Sequence, residues 1–126
     1  MRSIENFDLF DAQEACERIT DGAFLLRGFA LDRVASLLTD VERIETAAPF
    51  RHLETPGGFR MSVAMTNCGT VGWVSDRRGY RYTTHDPLSA QPWPSLPPEF
   101  LMLAQRAASA AGFRYSSRTS PANVYT

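Results

Sequence analysis

Residues 55–82, TPGGFRMSVAMTNCGTVGWVSDRRGYRY, decide how this chain is read. The Pro56-Gly57-Gly58 triplet turns the chain. After it, Phe59, Met61, Val63 and Met65 alternate with Arg60, Ser62, Ala64 and Thr66, the pattern of a strand with one drier face. Gly69 and Gly72 break or bulge that strand. Val71–Ser75 and Tyr80–Thr84 read as paired strands joined by Asp76-Arg77-Arg78-Gly79, with Gly79 supplying the positive-φ position of a hairpin loop. The hairpin carries Trp73 and Tyr80 beside Arg77, Arg78 and Arg81. Aromatic faces next to guanidinium groups suit an unstacked base and its phosphates, because stacking needs a π-face and the backbone needs cations. The same residues also suit a structural role: aromatic pairs across a hairpin pack on each other, and arginines in a turn are often simply hydrated.

Upstream, Ala23–Phe29 (AFLLRGF) follows an Asp-Gly turn and reads as a short buried strand. Asp32 is placed to cap a helix running to about Ala47, with Leu31, Val34, Leu37, Leu38, Val41 and Ile44 on its packed side and Pro49 closing it. Downstream, the proline-rich stretch His85–Pro98 reads as an irregular surface loop, with Trp93 as its packing anchor. Pro97 and Pro98 lead into a helix over about Glu99–Ala111, ended by Gly112. Ser120–Thr126 is expected to begin a strand with nothing after it to pair against. The mixture points to an α+β fold, with residues 1–126 forming one domain or a fragment of one.

A chain of 126 residues with 44% hydrophobic content can build one modest core and is too apolar for disorder. Its net charge of −1 conceals two unlike halves. Residues 1–54 carry eleven acids and six arginines, whereas residues 55–126 carry three acids and seven arginines. A basic, aromatic half fits a polyanionic partner, and an acidic half fits a solvated face. All thirteen basic residues are arginine, which leaves only planar, bidentate donors for a phosphate. Cys16 and Cys68 match no metal or redox spacing and are expected to be free, buried thiols. The acidic opening MRSIENFDLFD is unlike a signal peptide, and no apolar run reaches membrane-spanning length, so the expected location is the cytoplasm. No nucleophile elbow and no phosphate loop is present. His52-Leu53-Glu54 has the His-x-carboxylate spacing of a facial iron triad, with His85 as the other histidine.

The motifs TPGG (Thr55–Gly58), MSVAMTNCG (Met61–Gly69), GW (Gly72–Trp73), RxGYxY (Arg77–Tyr82) and PWP (Pro92–Pro94) together resemble the AlkB family of iron(II)- and 2-oxoglutarate-dependent dioxygenases. RAASAAG (Arg106–Gly112) and Asn123-Val124-Tyr125 extend the likeness to nearly the whole chain. The family demethylates bases such as 1-methyladenine and 3-methylcytosine in DNA or RNA, releasing formaldehyde. The resemblance implies the N-terminal part of a double-stranded β-helix (jelly-roll) dioxygenase, with residues 55–84 as its nucleotide-recognition lid. It implies that Trp73 stacks on the damaged base, that Tyr80 contacts the nucleic-acid backbone, and that Met65 lines the base pocket. Thr55 and Pro56 would lie along the backbone path, with Arg77 and Arg78 facing phosphates. Asn123 and Tyr125 would bind 2-oxoglutarate.

Phe59 departs from the tyrosine that often follows TPGG, and Val124 from the arginine common inside Asn-x-Tyr. His52-x-Glu54 precedes the lid, whereas the family's His-x-Asp follows it, so His52 and His85 read as surface histidines. The family's iron ligands and 2-oxoglutarate arginines fall beyond the last residues of this sequence. The expectation is therefore an incomplete fold that is inactive alone, cannot fully bind iron or 2-oxoglutarate, and self-associates through uncovered sheet edges. The alternative is a non-catalytic module that binds single-stranded nucleic acid or a protein.

Overall fold

The computed structural model describes residues 15–114 and the backbone of residues 122–125. A first antiparallel hairpin pairs β1 (Cys16–Thr20) with β2 (Ala23–Leu26) around Asp21-Gly22. A 3-10 turn, Leu31–Arg33, leads into α1 (Val34–Ala47). The central sheet is antiparallel, with β4 (Arg60–Cys68) between β3 (Arg51–Glu54) and β7 (Ala122–Tyr125). A second hairpin pairs β5 (Gly72–Asp76) with β6 (Gly79–Thr83), and α2 spans Pro98–Ala110.

Local signals account for the element ends. Pro98 sits at the first position of α2, where the missing N–H is no loss. Gly112 (φ 84°) ends the helix, with Phe113 N–H donating to Ala108 O at 2.7 Å and Gly112 N–H to Ser109 O at 3.1 Å. Two arginines form the tip of β5–β6, and Gly79 (φ 109°) closes it.

Burial departs from the expected pattern in ways that follow from what covers each face. On β4 the run Met65–Cys68 is buried, because β7 pairs with it there, α1 packs on it and β5 adjoins it through Asn67. The drier face expected at its start is not dry: Phe59 is 75% exposed and Val63 46%. No described element covers that end. Likewise α1 buries Ile44 but leaves Val34 and Leu38 exposed, as is Leu31 in the 3-10 turn before it. Asp32 lies within the 3-10 turn and makes no side-chain cap to α1. The strand expected to be buried over Ala23–Phe29 ends at Leu26 and is an exposed hairpin arm. Cys16 is only half-buried, unlike Cys68. The terminal strand does find a partner: β7 pairs backward with β4, matching Tyr125 to Met65 and Asn123 to Asn67.

The best-covered core joins Ala48, Val74 and Trp93, so Trp93 anchors the second hairpin as well as its own loop. No helix among the described residues is long and apolar enough to cross a membrane.

Candidate nucleic-acid interface

The interface is built on β5–β6, whose tip is ordered by Asp76. One oxygen of that carboxylate accepts from Arg78 N–H at 2.9 Å, and both oxygens are gripped by the Arg81 guanidinium at 2.8 Å. The Arg81 hydrogen bonds, then that of the Arg78 backbone, hold the Asp76 carboxyl well below the usual carboxylate range. It therefore stays charged and keeps Arg81 turned inward along the ribbon.

Ser75 lies opposite Tyr80 and Trp73 opposite Tyr82, so Trp73 and Tyr80 are diagonal neighbours on one face. Their rings stack with centroids 5.4 Å apart and planes 21° apart. Tyr80 is 61% exposed. The pair sequence reasoning singled out is thus brought together, with Tyr80 against one face of the indole.

What holds Trp73 arrives from elsewhere in the chain. The buried Asn67 amide donates to Trp73 O at 3.0 Å and accepts from Trp73 N–H at 3.2 Å, a substitute for a strand partner. Gly72 must be glycine: a Cβ there would lie 2.4 Å from the Trp93 ring. Trp93 donates its indole N–H to Thr83 O at 3.0 Å and lies 5.4 Å beneath the Arg51 guanidinium. Arg51 in turn makes a bidentate pair with Asp86 at 2.6 and 2.7 Å, and both side chains are nearly inaccessible. Burial alone pushes the Asp86 carboxyl up. The hydrogen bonds from Arg51 and Leu88 N–H and the Arg51 charge outweigh it, so Asp86 titrates below the usual range.

The Thr55–Gly58 turn meets the hairpin tip. Gly58 N–H donates to Thr55 O at 2.9 Å, and Phe59 N–H donates to Thr55 Oγ1 at 3.1 Å. Arg77 donates from Nε to Glu54 Oε1 at 2.9 Å and lays its guanidinium over Gly58, 3.2 Å from where a Cβ would be. Ser75 Oγ adds a bond to Glu54 O at 2.7 Å. Pro56 is exposed on this turn, and Arg78 points into solvent at 80% exposure.

Other expected site residues are placed differently. Met65 is buried within the central sheet. Asn123 and Tyr125 lie on β7, and their side chains fall outside the described residues. His52 and His85 are exposed; the His52 ring meets Met61 O and the His85 ring meets Thr84 Oγ1, while Glu54 is engaged by Arg77. A groove of about 360 Å³ between α1 and Pro94–Pro98 is lined by none of these residues. Sequence reasoning weighed Glu54 only as a metal ligand and missed Asn67, Arg51 and Asp86. Of these only Asn67 left a trace, as an amide in a strand half that is otherwise wholly buried.

Residues 22–126 match the family described as the 2OG-Fe(II) oxygenase superfamily. The chain belongs to that superfamily. It is 48% identical over 107 residues to the alpha-ketoglutarate-dependent dioxygenase AlkB of Escherichia coli K12. It is 50% identical over 108 residues to that of Salmonella typhimurium. Each alignment takes in 84% of this chain and 50% of the relative, so the chain spans about half the length of these curated relatives. A shorter match, 52% over 56 residues, covers 44% of this chain and 26% of the AlkB homolog of Caulobacter vibrioides. The AlkB likeness read from TPGG, TNCG, GW and GYxY is borne out by these matches.

Members of this family use iron(II) and 2-oxoglutarate. Among the described residues no group of three His, Cys, Asp or Glu side chains is arranged to hold a metal, and His52, Glu54 and His85 do not form one. The described residues therefore do not fit an iron centre.

Proposed function

We propose that this chain supplies the substrate-recognition part of an AlkB-type dioxygenase acting on alkylated bases in single-stranded DNA or RNA, with residues 55–84 as its nucleotide-recognition lid. The observation that carries this reading is the Trp73–Tyr80 stack, a solvent-facing aromatic pair on a hairpin braced by buried groups. Trp73 offers the face on which an extruded base stacks, and a methylated, cationic base gains further from the indole. Tyr80 turns its phenol toward the backbone, Thr55 and Pro56 lie along the strand's path, and Arg77 and Arg78 meet phosphates. Met65 backs the base pocket from within the sheet, and binding of 2-oxoglutarate is assigned to Asn123 and Tyr125 of β7. The oxidation itself belongs to iron and 2-oxoglutarate, so the role assigned to this chain stops at recognition. The exposed Phe59, Val63, Leu31 and Leu38 support self-association or coverage by further polypeptide.

The test is fluorescence anisotropy with an oligonucleotide carrying 1-methyladenine. Trp73→Ala should cost about 1–3 kcal/mol of binding with its circular dichroism unchanged. An intact fold with unchanged affinity would remove Trp73 as the stacking platform. Loss of binding together with loss of the dichroism signal would make the pair a structural one.

A further inference from the structure

We infer that Arg60, at the start of β4, is a phosphate-binding residue of this interface, acting with Arg78, while Arg77 divides its exposed guanidinium between Glu54 and the phosphates. The inference rests on the recognition reading above and says which side chains of this chain meet the polyanion.

The arginines around the hairpin differ sharply in how they are engaged. Arg51 is buried on Asp86, and Arg81 is spread over both oxygens of Asp76. Arg77 sits on Glu54 at 2.9 Å. Arg78 comes only within 3.7 Å of Asp76, a carboxylate already saturated by Arg81, and is 80% exposed. Arg60 is exposed and has no ion pair among the described residues. Among the described residues around the hairpin, Arg60 has no ion pair and Arg78 has only the loose one to Asp76 at 3.7 Å.

Arg60 is also correctly placed. In the β3–β4 register it stands directly opposite Glu54, and directly opposed residues raise their side chains on the same face about 5 Å apart. Glu54 reaches Arg77 at the hairpin tip. Arg60 therefore flanks the same carboxylate that anchors the tip, two residues past the Thr55–Gly58 turn. A planar guanidinium there, free of a partner, presents a bidentate fork to a phosphate passing over the turn. Glu54 also sets how much charge the site displays, because removing it would release Arg77.

The experiment measures binding of a fluorescein-labelled oligothymidylate of about a dozen nucleotides between about 50 and 200 mM salt. Arg60→Gln should reduce the slope of log affinity against log salt by about 0.7, which makes its loss across that range roughly 2.5-fold smaller than that of the parent chain. Arg106→Gln removes the same charge from α2 and should leave the slope unchanged. Glu54→Gln should steepen it. An unchanged slope in Arg60→Gln, or an equal fall in Arg106→Gln, overturns the assignment. If Trp73→Ala weakens binding while Arg60→Gln leaves the slope alone, recognition stands and only this inference fails. No binding by the folded parent chain overturns both.

Discussion

The two hairpins of this chain have similar strand lengths and very different support. β1–β2 buries no residue; Ile19 is 62% exposed and Leu25 42%. Its ties include ion pairs in solvent, Arg27–Glu17 and Arg18–Asp21, a bond from Arg27 N–H to Ala15 O, a long thiol contact of Cys16 Sγ to Ala110 O at 4.0 Å, and an edge contact of Phe24 with Phe113 at 5.7 Å. β5–β6 instead buries Gly72, Val74 and Ser75, and side chains from β3, β4 and the proline loop reach into it. An isolated two-stranded ribbon is marginal in water, so a hairpin is as rigid as the groups that reach it from elsewhere. An aromatic face is held in one orientation only by such support, and of these two hairpins the second has it.

The contrast breaks most visibly at the buried ion pair. Asp86→Ala leaves the Arg51 charge uncompensated in the interior and should cost about 3–5 kcal/mol in urea unfolding. Glu17→Ala on the exposed hairpin should cost no more than about 1 kcal/mol. Equal costs would mean that the two hairpins are braced alike. Gly72→Ala drives a methyl into Trp93 and should cost about 1–3 kcal/mol while weakening oligonucleotide binding. A variant of parent stability would show that Trp93 yields there without strain.

Acid sharpens the comparison. The folded pKa of Asp86 lies below its unfolded value, so the unfolded chain takes up the proton first as pH falls. The stabilisation is complete above the usual aspartate pKa of about 3.9 and is lost as pH drops through the folded value. Asp86→Asn should remove that part of the acid limb; a parent and variant with parallel limbs below about pH 4 would contradict it. The mildest test uses the thiols. Cys16 on β1 is half-buried, whereas Cys68 is fully buried and its thiol is pushed up to about 11. Iodoacetamide followed by mass mapping should label Cys16 in the folded chain and Cys68 only on unfolding. Equal labelling rates would show that the end of β4 opens as easily as β1.

Much of the frame was legible before any coordinates. The β5–β6 hairpin was marked by Gly79 and its flanking strands, and α2 by the prolines before it and Gly112 after it, because such signals act through the backbone of a few adjacent residues. Apolar spacing on α1 and β4 located both elements but overstated their burial, since spacing shows which face could be covered and not whether anything covers it. Of the candidate site, the identity of Trp73, Tyr80 and the arginines and their place on one ribbon are local features, readable along the chain. Long-range packing sets the rest: Asn67 clamps Trp73, Arg51 meets Asp86 across 35 positions, and particular arginines are engaged by carboxylates. The reason is physical: a charge is free or neutralised according to what stands within a few ångströms of it, and those neighbours come from strands and loops whose distance along the chain carries no local signal.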